Sequence, residues 1–277
     1  MTMKTQRNQI ALVTGASSGI GQATAERLSR AGYTVYGTSR RGGAAGGQAF
    51  EMLSLDVTSD ASVADAVAQL MQREARIDLL VNNAGFGVAP AGAEESSIAQ
   101  AQAIFDTNFF GVVRMTRAVL PHMRKHGAGR IINIGSVLGL LPMPYGALYA
   151  ATKHAIEGYS ESLDHELRTK GIRVCVIEPA YTNTPFDANF LQLDAYGEAR
   201  AAVSQRVKEV MATADQPSVV AETVLKAASA ARPQRRYAAG GLAGRLAWLR
   251  RFAPAGLMDA GIRRDLRLDA TLSGKAS

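Results

Sequence analysis

The amino-acid sequence predicts an α/β protein built on a single doubly wound parallel sheet of about seven strands, with helices on both faces. Three observations predict it. Short β-branched runs alternate with stretches whose apolar residues recur at helical spacing. The first such run leads straight into a glycine-rich turn. No linker-like stretch divides the 277 residues, so residues 1–277 are expected to form one domain.

Ile10-Ala11-Leu12-Val13 is the first strand. The helix after the glycine turn puts Ile20, Thr24, Leu28 and Ala31 on one face and stops at Gly32, a natural helix terminator. Tyr33 to Thr38 form a second strand, and a third precedes Asp56. Ser59 and Asp60 can cap a helix carrying Val63, Val67, Leu70 and Met71. Leu79-Leu80-Val81 is a short buried strand. A long helix from about Ser97 to Lys125 carries Ile98, Phe105, Val112, Met115 and Val119. Then come the strand Ile131–Ile134, a helix from about Tyr149 to Lys170 and a strand around Cys175. A further helix starts near Pro217, an apt first-turn proline. The glycine cluster from Gly42 to Gly47 reads as a mobile surface loop. The least regular stretch, 181–211, leaves a strand's carboxyl end and is a candidate substrate lid; a plain surface excursion explains it equally well.

Composition narrows the class. Nearly half the residues (47%) are apolar and 20% are charged, as in an ordinary globular protein. The chain starts without an apolar leader and lacks a run long enough for a membrane span, and its single cysteine cannot build a disulfide framework. A cytoplasmic protein is expected, with Cys175 a small buried hydrophobe. The net charge of +7 is concentrated at one end. From 232 onward the basic residues are 232, 235, 236, 245, 250, 251, 263, 264, 267 and 275, against acids at 259, 265 and 269, so 10 − 3 = +7 and the rest is neutral. No nucleic-acid motif accompanies that charge, and nucleic acid is not expected as a partner. Residues 240–277 form a basic C-terminal extension with Leu242, Leu246, Trp248, Leu249 and Phe252 among arginines. It suits a membrane surface, the rim of a substrate cleft or a subunit interface, and the sequence does not choose.

Thr14-Gly15-Ala16-Ser17-Ser18-Gly19-Ile20-Gly21 joins the first strand to the first helix. Glycines there let the backbone approach a pyrophosphate, whose charge rests on the free N–H groups of the helix start. Gly15, Ser17, Ser18, Gly19, Ile20 and Gly21 are therefore candidate cofactor contacts. A chain of this composition yields the pattern by chance only about 0.01 times. The second strand ends in Ser39-Arg40-Arg41 with no acid to hold a free ribose hydroxyl. Ser39 and Arg40 suit a 2′-phosphate instead, which favours NADP over NAD.

Tyr149 and Lys153 lie four apart on one helix face. A nearby ammonium and a positive nicotinamide ring are expected to lower the phenol's pKa and make Tyr149 a general acid/base. Ser136, at a strand end, can orient a substrate oxygen, and Asn108 can hold a water that returns protons through Lys153. His122 and His126 have metal-like spacing but no third ligand, so no metal is expected. Asp164 and His165 are adjacent in a helix and do not face each other, so no hydrolase triad is suggested.

Together, TGASSGIG at 14–21, NNAG at 82–85, Asn108, Ser136 and YAATK at 149–153 resemble the short-chain dehydrogenase/reductase family over about residues 8–185. The resemblance implies a Rossmann-type fold and a catalytic Asn108–Ser136–Tyr149–Lys153 tetrad. It implies that Asp56 and Val57 contact the adenine, that Asn83, Ala84 and Gly85 contact the adenosine ribose, and that Tyr149 and Lys153 reach the cofactor, Lys153 at the nicotinamide ribose. Glu178 to Thr184 corresponds to the carboxamide-binding segment, with Pro179, Thr182 and Thr184 as contacts; Ala180 and Thr182 depart from the family pattern there. NFFGVVRMTRAVLPHM and the following GRIIN are most similar to the 17β-hydroxysteroid-dehydrogenase-like and retinol-dehydrogenase-like branch. The expected activity is NADP-dependent interconversion of a carbonyl and an alcohol on a small lipophilic molecule, steroid-like or retinoid-like, by a homodimer or homotetramer. Competing readings are β-ketoacyl reduction, a non-catalytic NADP sensor, and an interaction protein working through its basic end.

Overall fold

The computed structural model describes residues 8–42, 49–88, 90–182, 186–187 and 193–269. Its strands are β1 (Ile10–Val13), β2 (Thr34–Ser39), β3 (Glu51–Ser54), β4 (Leu79–Asn82), β5 (Gly87–Val88), β6 (Gly129–Ile134), β7 (Ile172–Pro179), β8 (Phe186–Asp187) and β9 (Arg236–Ala239). Its helices are α1 (Gly19–Arg30), α2 (Asp60–Glu74), α3 (Ile98–Phe105), α4 (Gly111–His126), α5 (Ala147–Leu167), α6 (Gly197–Ala212), α7 (Pro217–Ser229), α8 (Gly241–Phe252) and α9 (Ala255–Asp265). Seven strands form one parallel sheet in the order β3-β2-β1-β4-β6-β7-β9. The chain thus enters at the middle, winds outward, returns to lay β4 beside β1, and winds out the other way. That reversal opens a crevice at the carboxyl ends of β1 and β4, where such sheets bind ligands. β5 and β8 pair as a separate two-stranded parallel ribbon.

The strands are apolar without a break because alternate residues serve opposite faces. Leu12, Leu80, Ile131 and Val174 pack on one side with Val63, Val67 and Leu70 of α2 and Met115, Val119 and Met123 of α4. Their neighbours Val13, Val81, Ile132 and Cys175 pack on the other with Leu28 of α1 and Val220 and Val224 of α7. Ser59 caps α2 by accepting from Ser62 N at 3.2 Å, and Gly32 takes the left-handed conformation (φ +92°) that turns the chain after α1.

Four features differ from the sequence expectation. The long helix is broken at Asp106–Phe110 by a π turn, so Asn108 stands on that turn and not on a regular helix. The stretch read as irregular contains α6, whose weak amphipathic pattern hid it. β9 completes the sheet from Arg236-Tyr237-Ala238-Ala239, too short and too polar to stand out. The C-terminal extension is folded as far as 269: Ala243 is fully buried, and Leu266 packs on Val203 and Val207 of α6. Part of the glycine cluster (43–48) lies outside the described residues, as do 183–185 and 188–192 of the candidate lid.

Asp164, on α5, is fully buried and ties that helix to the start of β7. It accepts from Arg173 Nε at 2.8 Å, Arg168 Nη2 at 2.5 Å and Val174 N at 3.0 Å. Burial pushes its carboxyl up, but the bonds from Arg173, Val174 and Arg168 outweigh it and hold the group well below the carboxylate range. Its folded pKa is therefore depressed, and the stability it contributes is present at neutral pH and lost in acid. Asp164→Ala is expected to cost about 3 kcal/mol in urea denaturation at neutral pH. That gap should shrink below about pH 4, where the unfolded carboxyl binds its proton. A cost independent of pH would show that packing, not charge, holds the joint.

Candidate active site

The glycine turn is shaped by close approach. Gly15 has φ +66°, and a Cβ there would lie 2.9 Å from Ala84 Cα; one on Gly21 would lie 2.2 Å from Gly15 O. Gly19 also has positive φ (+56°). Ser17 and Ser18 are exposed, and Ser18, the N-cap of α1, places no side-chain bond on the first-turn N–H groups. Those donors, beside the half-buried Ile20, stay free for an anion at the positive end of the helix.

Across the crevice, Thr14 Oγ1 accepts from Asn83 N and Ala84 N, both at 3.0 Å. Asn83 Nδ2 returns to the carbonyls of Thr14 (3.0 Å) and Gly15 (3.1 Å). Asn83 and Ala84 therefore line the crevice and lock it. Gly85 lies against Asn108, where a Cβ would come within 3.0 Å of Oδ1. Asn108 Nδ2 donates to Phe86 O, and its Oδ1 accepts from Phe86 N, both at 2.9 Å. What the geometry gives Asn108 is a clamp on this loop.

Ser39 and Arg40 lie at the end of β2, with Arg40 exposed, and Asp56 and Val57 lie just beyond β3. Asp56 Oδ1 accepts from Thr58 N at 2.9 Å and Thr58 Oγ1 at 2.7 Å. These bonds, against the effect of burial and with the charges of Arg40 and Arg114, lower its pKa. At the far side of the crevice, Pro179 ends β7 and its carbonyl accepts weakly from Ser136 Oγ (3.4 Å). Thr182 is buried and bridges to Asp215. Thr184 lies outside the described residues.

The reactive side chains converge at the ends of β6 and α5. Ser136 is buried, caps the turn 137–139 by accepting from Leu138 N at 3.1 Å, and lies near enough to the Tyr149 phenol to lower its pKa. Lys153 Nζ donates to Ile134 O at 2.9 Å and stands 5.5 Å from the centre of the Tyr149 ring. Burial lowers Lys153 to about 8, with the charge of Glu157 opposing. Burial pushes the Tyr149 phenol up to about 12, and Ser136 opposes only part of that. Desolvation is the larger of the two effects and favours the protonated phenol.

A buried carboxyl pair beneath the site escaped the sequence reading. Glu157, one turn beyond Lys153, faces Glu178 of β7, and both are almost fully buried. Arg236 of β9 donates to Glu157 Oε2 at 2.9 Å and stands 3.5 Å from Glu178 Oε1. Gly135 and Gly139, flanking Ser136, make room: a Cβ would come within 3.0 Å of Glu157 Oε1 or 2.8 Å of its Cγ. The available signals were the i,i+4 spacing from Lys153 and a glutamate closing an apolar strand.

The far segment is anchored as well. Glu95, buried, accepts from Leu193 N at 2.8 Å and pairs with Arg200 of α6, fastening residue 193 and α6 to the turn 93–95. Among the described residues no group of three or more potential metal ligands occurs.

A glycine turn at a sheet's switch point, with Ser136, Tyr149 and Lys153 beside it, defines a protein of the dinucleotide-binding α/β class. The short chain dehydrogenase family model matches residues 9–194, and this chain belongs to that family. The 3-ketodihydrosphingosine reductase of Bacteroides thetaiotaomicron is 47% identical over 181 residues, covering 65% of this chain and 66% of that protein, just under two thirds of its length. Retinol dehydrogenase 8 of Bos taurus is 35% identical over 250 residues, covering 81% and 79%. A short-chain dehydrogenase from Streptomyces avermitilis superposes with a TM-score of 0.80 at 31% identity over 99% of this chain and all of that one.

The carboxyl pair makes a stability prediction. Burial, then the charge of Glu157, raise Glu178 from 4.5 to about 7, with Arg236 opposing. The folded protein thus binds more protons than the unfolded chain between those values, so stability falls as pH rises through that window. Calorimetric melting of Glu178→Gln should show a flatter decline between pH 5 and pH 8 than the unsubstituted protein. Equal slopes would mean Arg236 neutralises the pair completely.

Proposed function

We propose that this protein is an NADP-dependent oxidoreductase that interconverts a ketone or aldehyde and an alcohol, acting on a lipophilic substrate. The observation that carries the reading is the Ser136–Tyr149–Lys153 constellation at the mouth of the glycine-lined crevice. The crevice fits a dinucleotide: free N–H groups at the start of α1, glycines that admit a pyrophosphate, and an Asn83–Thr14 lock that preforms the far wall.

When bound, the nicotinamide would supply the hydride in reduction and accept it in oxidation. Ser136 donates a hydrogen bond to the substrate oxygen and holds it against Tyr149. In reduction Tyr149 delivers its proton to that oxygen, a role suited to a phenol that burial keeps protonated. In oxidation it takes the proton back, with Lys153 stabilising the phenolate. Asn108 keeps the loop 83–86 in place and so positions the crevice wall.

NADP is favoured by Ser39 and the exposed Arg40 at an end of β2 that carries no acid. A lipophilic substrate is favoured by the names of two relatives, a 3-ketodihydrosphingosine reductase and a retinol dehydrogenase. We further read residues 1–277 as one catalytic unit with 181–211 as its lid, assembled as a homodimer or homotetramer through the helices around Asn108 and Tyr149. The single, fully buried thiol fits the cytoplasm. Among the described residues no helix is long and apolar enough to cross a membrane.

Oxidation of NADPH against a panel of aldehydes, ketones, steroids and acyl thioesters tests the reading. Tyr149→Phe should lower turnover by about 10²-fold or more while leaving NADPH binding intact. NADPH binding with no turnover of any carbonyl would favour a sensor. Arg40→Glu should weaken NADPH binding by about 10–100-fold with little change for NADH, read by fluorescence titration. Equal losses for both cofactors would reduce Arg40 to a surface charge.

A further inference from the structure

Among the described residues, most of the large apolar side chains left exposed are gathered on α8 and α9. Trp248 and Phe252 are each 61% exposed, Leu249 is 39% exposed, and Leu257 of α9 is 68% exposed. On α8, Arg245, Trp248, Leu249 and Phe252 fall at i, i+3, i+4 and i+7, which places them on one face. Trp248 and Phe252 stack at 5.4 Å, and the Arg251 guanidinium lies 5.6 Å from the centre of the Phe252 ring. The opposite side holds the helix to the body: Ala243 is fully buried, and Arg250 Nε donates to Leu140 O at 2.9 Å. The outward face is therefore rigidly presented, two aromatic rings and a leucine set among arginines.

We propose that α8 is a docking surface for an anionic lipid bilayer, on which it lies with Trp248, Leu249 and Phe252 in the interface and Arg245 and Arg251 against lipid phosphates. The charge pattern selects this occupant. α8 carries three arginines and no acid. From α9 to residue 269, Arg263, Arg264 and Arg267 are balanced by Asp259, Asp265 and Asp269, so the positive charge of this face is that of α8 itself. Arginine at an amphipathic face and aromatic rings of this kind suit the headgroup region. A twelve-residue helix is far too short to span, so it lies on the surface. A second copy of the chain is a poorer fit, because a symmetric contact through this face would bury the arginines of both copies with no acid on α8 to pair them.

The position gives the surface a use. Leu140, which Arg250 holds from the inner side of α8, is four residues beyond Ser136, so α8 stands between the docked face and the turn that carries the reactive serine. A bilayer held on the outer face would lie about one helix diameter from that turn, which shortens the path of a lipophilic molecule to the site. This use rests on the oxidoreductase reading, whereas the docking itself does not.

Trp248 is the only tryptophan in the chain, so its fluorescence reports α8 alone. The 277-residue protein would be titrated with vesicles of phosphatidylcholine, with and without a quarter of phosphatidylglycerol. A blue shift and co-flotation with the anionic vesicles, reversed by high salt, are expected, together with at least tenfold weaker partition onto phosphatidylcholine alone. Phe252→Ser and the pair Arg245→Glu, Arg251→Glu should each weaken flotation by about tenfold or more while leaving the thermal melt unchanged, since all three side chains face solvent. Equal binding to both vesicle types, flotation unaffected by these substitutions, or no flotation at all would overturn the proposal. The last outcome, joined to a fall in molar mass on light scattering of Phe252→Ser, would assign the face to a subunit contact instead. No readout involves turnover, so failure here leaves the carbonyl chemistry standing.

Discussion

Where β1 and β4 part, the sheet must stay open for a ligand yet not splay, and one hydroxyl meets both demands. Thr14 Oγ1 takes the N–H groups of Asn83 and Ala84, while the Asn83 amide returns to the carbonyls of Thr14 and Gly15. Four bonds across the switch point satisfy backbone groups that the end of the ladder would otherwise leave orphaned. They also fix the spacing of the glycine turn from the loop 83–86. That loop is what Asn108 grips from the π turn. The walls of the crevice are thus preformed, and a ligand need not supply the free energy to order them.

Much of this was legible because it is local. The glycines at 15, 19 and 21 are demanded by positive φ and by near-contact with backbone, and no other residue type would serve. The apolar runs Leu79–Val81 and Ile131–Ile134 read as buried strands because each feeds both cores. The site residues follow from the strand ends those runs define. What escaped is long-range or aperiodic. The π turn inserts a residue without disturbing the apolar spacing enough to be seen. β9 exists because β7 offers an unpaired edge, and its own four residues carry little strand signal. The pair Glu157 and Glu178 lies 21 positions apart and meets only in the fold.

The electrostatics of the site turn on the balance between burial and charge. A lysine and a bound nicotinamide ring would together lower the phenol pKa, whereas desolvation moves each side chain toward its neutral form, Lys153 to about 8 and Tyr149 to about 12. The carboxyl pair below responds in the same direction. The site is thus poised with charge suppressed, so any cation brought in has a large effect on where protons reside.

Arg236 carries a consequence for how the molecule is made. The cation that compensates Glu157 and Glu178 belongs to the last strand of the sheet, whereas both carboxyls lie in elements synthesised well before it. While the ribosome is still translating the stretch ahead of β9, a nascent chain that packs α5 on β7 must bury two acids without their partner. The cost favours leaving that side of the sheet loose until residue 236 emerges. Maturation of the reactive end is thereby coupled to completion of the polypeptide, and a prematurely terminated product would be marked by an unsettled edge at β7.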